Sequence, residues 1–268
     1  MWLRRCASVH VLVLIAFGCL AVPAAAQPLD EPVQMALPLN TDSTVAPPVG
    51  KTTFRTDIRW FGSRESAPYG SMELGYGLYE RVALLVRVGG SDWYTDRYPG
   101  GVIRRGGYDY ELAAMCSPKS WGDIGIMLGV SHANTAAQND TFPTMQLLAH
   151  KVVNDRLTLH GFVRTVLIHK NDLAGVGVGA SYVVNDRLIL VGDFVGLFNG
   201  KNTYSVATGR MARNHLWSLG GRWSTQVMDR NVEFEVGVTN VIARTTGLSL
   251  TPALGGSIGG YAGFTVRF

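Results

Sequence analysis

Apolar residues alternate with polar or small ones at a period of two through most of the chain after Gly50. Successive side chains of a strand point to opposite faces, so this pattern predicts strands with one apolar and one polar face. No stretch carries a sustained helical stripe, and no unbroken apolar run approaches the roughly 20 residues of a membrane-spanning helix. Twelve segments follow the pattern: 51–61, 70–79, 82–90, 106–116, 121–131, 142–153, 156–167, 173–184, 187–198, 214–225, 231–242 and 258–268. Most have about 10 residues, the length that crosses a bilayer at a tilt of about 45°. Within 187–198, Leu188, Leu190, Gly192, Phe194 and Phe198 share one face, and Arg187 and Asp193 the other. In 156–167, Leu157, Leu159, Val163 and Leu167 are separated from Arg156, Thr158, His160 and Arg164. In 231–242, Val232, Phe234, Val236 and Val238 are separated from Glu233 and Glu235. Alternation alone fits a soluble sandwich or a membrane barrel, in which the apolar face meets a second sheet or lipid respectively.

The connections separate these two architectures. VVNDRL occurs at 152–157 and again at 183–188, with looser echoes in LYERVAL (78–84) and MDRNVEF (228–234). Each sits between two alternating runs, as a tight hairpin turn does. A three-residue loop at Asn185-Asp186-Arg187 places Val184 opposite Leu188, Tyr182 opposite Leu190 and Val178 opposite Phe194, all on one face. The same loop at Asn154 pairs Val153 with Leu157 and Leu147 with Val163. At Tyr79-Glu80-Arg81 it pairs Leu78 with Val82, Tyr76 with Leu84 and Leu74 with Val86. A two-residue loop would turn Tyr182 and Val178 away from the apolar face, so parity favours three. Short turns near Glu80, Lys119, Asp155, Asp186 and Asp229 alternate with longer connections at 91–105, 132–141, 199–213 and 243–257. Short turns at one end and long loops at the other describe an up-and-down transmembrane barrel, and an even strand count returns both termini to the short-turn side. The expected fold is therefore all-β: an antiparallel up-and-down barrel of about twelve strands over 51–268.

The first 50 residues are different material. Arg4 and Arg5, an apolar core at 11–22 and Ala24-Ala25-Ala26 form a secretory signal peptide over 1–26, with cleavage expected after Ala26. Phe17 stands where a lipoprotein signal before Cys19 has a small residue, so Cys19 is not read as a lipid anchor. Of the formal charge of +4, Arg4 and Arg5 supply two, leaving +2 on the mature chain. That balance, with no Lys/Arg block, excludes nucleic acid as a partner. Cys6 and Cys19 leave with the signal, so Cys116 has no partner for an intramolecular disulfide. Residues 27–50 contain five prolines and no periodicity, and read as a flexible periplasmic tail, with a lumen plug as the alternative.

The chain ends in GGYAGFTVRF, with Ala262, Phe264, Val266 and Phe268 on one face and Gly263, Thr265 and Arg267 on the other. This strand resembles the assembly signal of Gram-negative outer-membrane β-barrels. The resemblance covers the signal peptide, the terminal strand and the hairpin layout. It implies a location in the cell outer membrane, contact with its lipids, and recognition of Phe264, Val266 and Phe268 by the barrel assembly machinery. GYGLYERVALLV and GASYVVNDRLILVG also resemble units of the small transporter barrels of meta-pathway phenol degradation. Those units encode hairpin geometry, so they carry no functional residue over to a numbered position.

Function then falls to the polar face. Its candidate pore-lining residues are Arg55, Arg59, Glu73, Arg87, Glu111, His150, His160, Arg164, Asp193, Arg222, Glu233 and Glu235, joined by Asp57, Asp109, Asp123 and Arg267. Both signs are present, and they either pair and close the lumen or segregate and leave a polar channel. Ser131 and His132 are adjacent, so they point to opposite faces and do not form a nucleophile–base pair. His150 and His160 come opposite one another in the lumen, where a hydrated network is favoured over a metal site. No G-x-S-x-G, HExxH or cysteine cluster appears, so no catalytic residue, metal or cofactor is expected. Trp60, Trp217 and Phe198 towards the loops, and Trp223, Tyr182 and Phe268 towards the turns, match two aromatic girdles. The favoured function is a passive channel or uptake barrel for a small molecule whose identity the sequence leaves open. The alternatives are a structural or adhesion barrel acting through its loops and an outer-membrane lipid hydrolase.

Overall fold

The computed structural model describes residues 46–61, 68–98, 101–134, 139–168, 171–205, 208–227, 230–253 and 256–268. The expected signal at 1–26, and residues 27–45 of the expected tail, lie outside them. The strands are β1 (Thr52–Phe61), β2 (Tyr69–Tyr79), β3 (Val82–Tyr98), β4 (Gly101–Cys116), β5 (Ile124–Asn134), β6 (Asn139–Val152) and β7 (Leu157–Val166). They continue with β8 (Leu173–Val183), β9 (Leu188–Asn199), β10 (Thr203–Ser205), β11 (Arg210–Ala212), β12 (Leu216–Val227), β13 (Arg230–Thr239) and β14 (Gly259–Arg267). β10 and β11 pair only with each other, as a small hairpin in the connection after β9. The other twelve form one closed antiparallel barrel, each paired with its neighbour in sequence and β14 paired with β1 from Thr53↔Arg267 to Phe61↔Gly259.

Closure leaves no sheet edge and lets the wall satisfy its own backbone hydrogen bonds, as a bilayer demands. The outer surface has the matching chemistry. Val178, Leu190, Phe194, Leu219 and Val236 all stand exposed on it, an apolar girdle of the kind that faces lipid in a transmembrane barrel. Trp60 and Phe198 near the long connections, and Tyr182, Trp223 and Phe268 near the short turns, are exposed at the two ends of that band.

The repeated turn is explained by its asparagine. Asn185 Oδ1 accepts hydrogen bonds from the backbone N–H groups of Arg187 and Leu188, both at 3.0 Å. Asn154 Oδ1 does the same for Arg156 and Leu157, both at 2.9 Å. The side chain thus replaces the strand partner that the turn lacks. The register is the expected one, with Tyr182↔Leu190, Val178↔Phe194 and Leu147↔Val163. The turn at Glu80 differs. Tyr79 pairs with Val82 across a two-residue loop, Arg81 has a φ of 62°, and Leu78 is bulged out of the ladder. That one-residue bulge restores parity, so Tyr76↔Leu84 and Leu74↔Val86 still form.

Several boundaries depart from the sequence pattern, among them the expected connection at 132–141, into which β5 runs as far as Asn134 and β6 reaches back to Asn139. β3 and β4 run on to Tyr98 and back from Gly101, so most of 91–105 is strand rather than loop. A register shift between Ser91 and Tyr94 breaks the alternation there. At the other end of the chain, β13 stops at Thr239, and Val241 and Ile242 leave the wall for the interior. The last residues of the 27–50 segment lie against β2, where the Gly50 N–H donates to Gly77 O at 2.9 Å and the Gly77 N–H to Lys51 O at 3.0 Å.

The seam carries a testable consequence. Phe268 N–H donates to Thr52 O at 2.9 Å, and the Phe268 ring lies 5.6 Å beneath the Arg230 guanidinium on the outer face. Deleting Phe268 removes this end of the closure, whereas Phe194→Leu only trims a lipid-facing side chain. The deletion is expected to lower the heat-modifiable, folded fraction on gels well below that of Phe194→Leu, and equal folded yields would contradict it.

Candidate functional site

The inner face of the barrel is lined by ion pairs that run between neighbouring strands. On the β12–β13–β14–β1 wall, Arg55 donates to both Glu235 oxygens at 2.9 and 2.7 Å, and Arg222 donates to Glu235 at 2.9 Å. Arg222 also lies 3.6 Å from Glu233, which Arg267 reaches at 2.7 Å from the short-turn end. On the β2–β3–β4 wall, Arg87 bridges Glu73 at 2.6 Å and Glu111 at 3.1 Å. Arg59 Nε donates to Asp57 at 2.8 Å, and Ser71 Oγ donates to the other Asp57 oxygen. Arg267 and Glu73 keep partial exposure, whereas the pairs Arg55–Glu235, Arg222–Glu235, Arg87–Glu111 and Arg59–Asp57 are nearly excluded from solvent. Removing one member would strand its partner, at a cost of about 3–5 kcal/mol.

The lumen also contains a segment of chain. Residues 240–253, which follow β13, turn inward instead of standing above the barrel. Val241, Ile242, Ala243, Leu248, Leu250 and Ala253 are buried in one cluster with wall residues Phe142, Leu148, Phe162, Leu173, Val195 and Leu216. The tip is a compact turn in which Thr245 O accepts from the N–H groups of Leu248 at 3.1 Å and Ser249 at 2.8 Å. Its polar groups reach the far wall. Thr246 N–H donates to Glu111 Oε2 at 2.9 Å, while Thr246 Oγ1 accepts from Gln146 at 3.0 Å and Arg87 at 3.2 Å. Arg164 donates to Ser249 Oγ, and its guanidinium is held by Gln146 Oε1 at 2.9 and 2.7 Å. Arg59 donates to Val241 O at 2.9 Å, and Asn202 to Leu250 O at 2.9 Å. The segment leaves β13 and binds β3, β4, β6 and β7 across the barrel order, so it spans the bore.

Arg55, Arg59, Arg87, Glu111, His160, Arg164, Asp193, Arg222, Glu233 and Glu235 all lie buried on the inner face, with Glu73 and His150 half-buried there. Asp123 is different, since its side chain stays 63 % exposed at the turn end, 3.5 Å from His150 Nε2. Asp193 accepts from Ser218 at 2.9 Å. His150 and His160 are register partners, yet His160 Nε2 contacts Ser181 Oγ at 2.8 Å. Among the described residues no carboxylate touches the His160 ring, so this hydroxyl–imidazole contact lacks the orienting acid of a catalytic triad. Ser131 points inward and is buried, and the His132 ring lies 4.8 Å from that of Tyr110. Among the described residues no group of three or more His, Cys, Asp or Glu is gathered for a metal.

Sequence pattern alone predicts a lumen of charges, and the structure corrects this to one part ionic and part apolar. The inner aromatics make the difference. Phe162 lies flat over Gly177, whose position a Cβ would contest with that ring. The inward-facing glycines of β8 thus make room for a neighbour's bulk. The inserted segment itself has a signal in hindsight. Residues 241–253 contain a single charge, Arg244, among apolar and hydroxyl residues, unlike the charged connection at 91–105.

No family model matches the chain, that of the meta-pathway transporter barrels included, and no curated protein matches it. Solved structures of similar barrels exist. The chain is similar to the KdgM porin at 10 % identity and a TM-score of 0.45, covering 81 % of this chain and 98 % of that one. It is similar to LpxR from Salmonella typhimurium at 6 % identity and a TM-score of 0.46, covering 81 % and 99 %. It is also similar to the Pseudomonas putida toluene transporter TodX at 8 % identity and a TM-score of 0.35, covering 84 % and 89 %.

The seating of the segment is testable at Gly247, where an added Cβ would fall 2.7 Å from the Phe142 ring and 2.9 Å from Ser131 Cβ. Gly247→Val is expected to unseat the tip while leaving the wall closed. Limited proteolysis of the folded, heat-modifiable protein should then cut within 240–253, where the parent resists. Equal resistance would show that the tip tolerates the clash.

Proposed function

We propose that this barrel is a passive outer-membrane channel for small polar solutes, with residues 240–253 as its constriction. The supporting observation is the composition of the contact across the bore. The segment is tied to the far wall through Thr246, Ser249 and backbone groups that meet Arg87, Glu111, Gln146 and Arg164. Hydrogen-bonding groups of that kind can be taken over by a passing polar solute or by water, as the apolar contacts that anchor the rest of the segment cannot. Fixed charges on both remaining walls, from Arg55, Glu235, Arg222 and Glu233 on one side and Glu73, Arg87 and Glu111 on the other, give the passage the chemistry of a selective pore. In this reading outer-membrane lipids cover the exterior and the terminal strand engages the assembly machinery.

The test is single-channel conductance and liposome swelling with purified protein. Replacing 243–250 by a short Gly-Ser linker is expected to raise conductance roughly fivefold and to admit larger solutes, because a constriction dominates pore resistance. A folded barrel that conducts nothing and admits no solute in either form would overturn the channel reading in favour of a barrel acting through its loops.

A further inference from the structure

The ionic lining has one member that breaks its pattern. Asp57 is met by Arg59, Glu73 and Glu111 by Arg87, Glu233 and Glu235 by Arg222, and Asp193 by Ser218. Asp109, on β4, is 2 % exposed, and neither of its carboxylate oxygens has a hydrogen-bond partner among the described residues. The guanidinium groups around it are committed elsewhere. Arg59 is bound to Asp57 and to Val241 O, and Arg87 to Glu73, Glu111 and Thr246. Arg244 sits 3.9 Å from Asp57.

The surroundings of Asp109 are built from oxygen. Its register partner on β3 is Gly89, and the absent side chain leaves a gap on the inner wall. Asp109 Oδ1 and the Tyr69 hydroxyl both point into that gap, 2.8 and 2.5 Å from where a Gly89 Cβ would lie. The Tyr69 hydroxyl is buried and has no partner either. From the inserted segment, Thr245 Oγ1 lies alongside the carboxylate without a well-formed hydrogen bond, again buried and unpartnered. A carboxylate buried at this depth without counter-charge costs several kcal/mol. A neutral hydrogen-bond donor would relieve only part of that cost.

We propose that Asp109, Tyr69 and Thr245 form a binding site for one small monovalent cation, and that this site makes the passage beside the inserted segment cation-selective. The chemistry fits: an all-oxygen set suits a hard ion, and a single carboxylate balances one charge rather than two. This inference rests on the channel reading for its role in selectivity and on the geometry alone for the site.

The experiment therefore has two arms on the full-length protein. Thallium(I), a potassium surrogate with a strong anomalous signal, is soaked into crystals. A peak between Asp109, Tyr69 and Thr245 is expected in the parent and none in Asp109→Asn. Absence of the peak in the parent overturns the site, whatever the conductance. In planar bilayers under a potassium chloride gradient, the parent should prefer potassium over chloride, and Asp109→Asn should lower that preference at least about threefold. Asp109→Glu, which keeps the charge, and Asp123→Asn, which lies at the exposed turn end, should each retain most of it. An unchanged reversal potential in a folded Asp109→Asn channel, the outcome if Asp109 is carried protonated, overturns the selectivity role. A folded parent that shows the peak but conducts nothing removes the channel reading and leaves the site standing.

Discussion

The whole molecule depends on the pairing of β14 with β1. Without that seam the sheet has two open edges, and a row of unpaired backbone groups in hydrocarbon costs several kcal/mol per group. With it, the wall is complete and every strand has one face in lipid and one in a bore of limited width. Crowding follows from the second condition. Side chains from opposite walls and from the inserted segment share the same volume, so most charges, Asp109 apart, are met at short range. The pairs Arg55–Glu235 and Arg222–Glu235 and the bridge from Arg87 to Glu73 and Glu111 are the result.

Those pairs are local rather than diametric, and this matters for what the lumen can do. Arg55 and Glu235 meet over the intervening β14, at the inward Gly263 that is the register partner of Glu235. Charges of both signs are therefore held flat against the wall. What crosses the bore is the 240–253 segment, whose neutral hydroxyls and backbone groups join the two sides. Wall electrostatics and occlusion thus come from different parts of the chain but meet at Arg87, Glu111 and Arg164, which hold the segment in place.

Much of this architecture is legible in the sequence, because a two-faced strand advertises itself at every second residue. Phe194 outside and Asp193 inside follow from parity alone, as do the His150↔His160 and Gln146↔Arg164 pairings. The parts that escaped lie where parity stops applying. Leu78 is a single bulged residue, and Asn154 and Asn185 act through side-chain hydrogen bonds that a spacing argument does not see. The inserted segment escaped for a subtler reason. Val241 and Ile242 prolong the apolar character of β13, so the strand reads on to residue 242, while burial inside a barrel and burial in lipid select the same residue types. Partners such as Thr246, Ser249 and Ser181 carry no charge to announce them.

The inserted segment is the connection of the last hairpin, β13 to β14, and β14 also forms the seam with β1. Filling the bore and closing the wall are consequently the work of one unit of chain. A partly built barrel lacking that hairpin would be open at its side and empty in its middle at once. Pairing of β14 with β1 closes the wall with the inserted segment already on the same hairpin. Closure of the wall and narrowing of the bore are thereby coupled through a single hairpin.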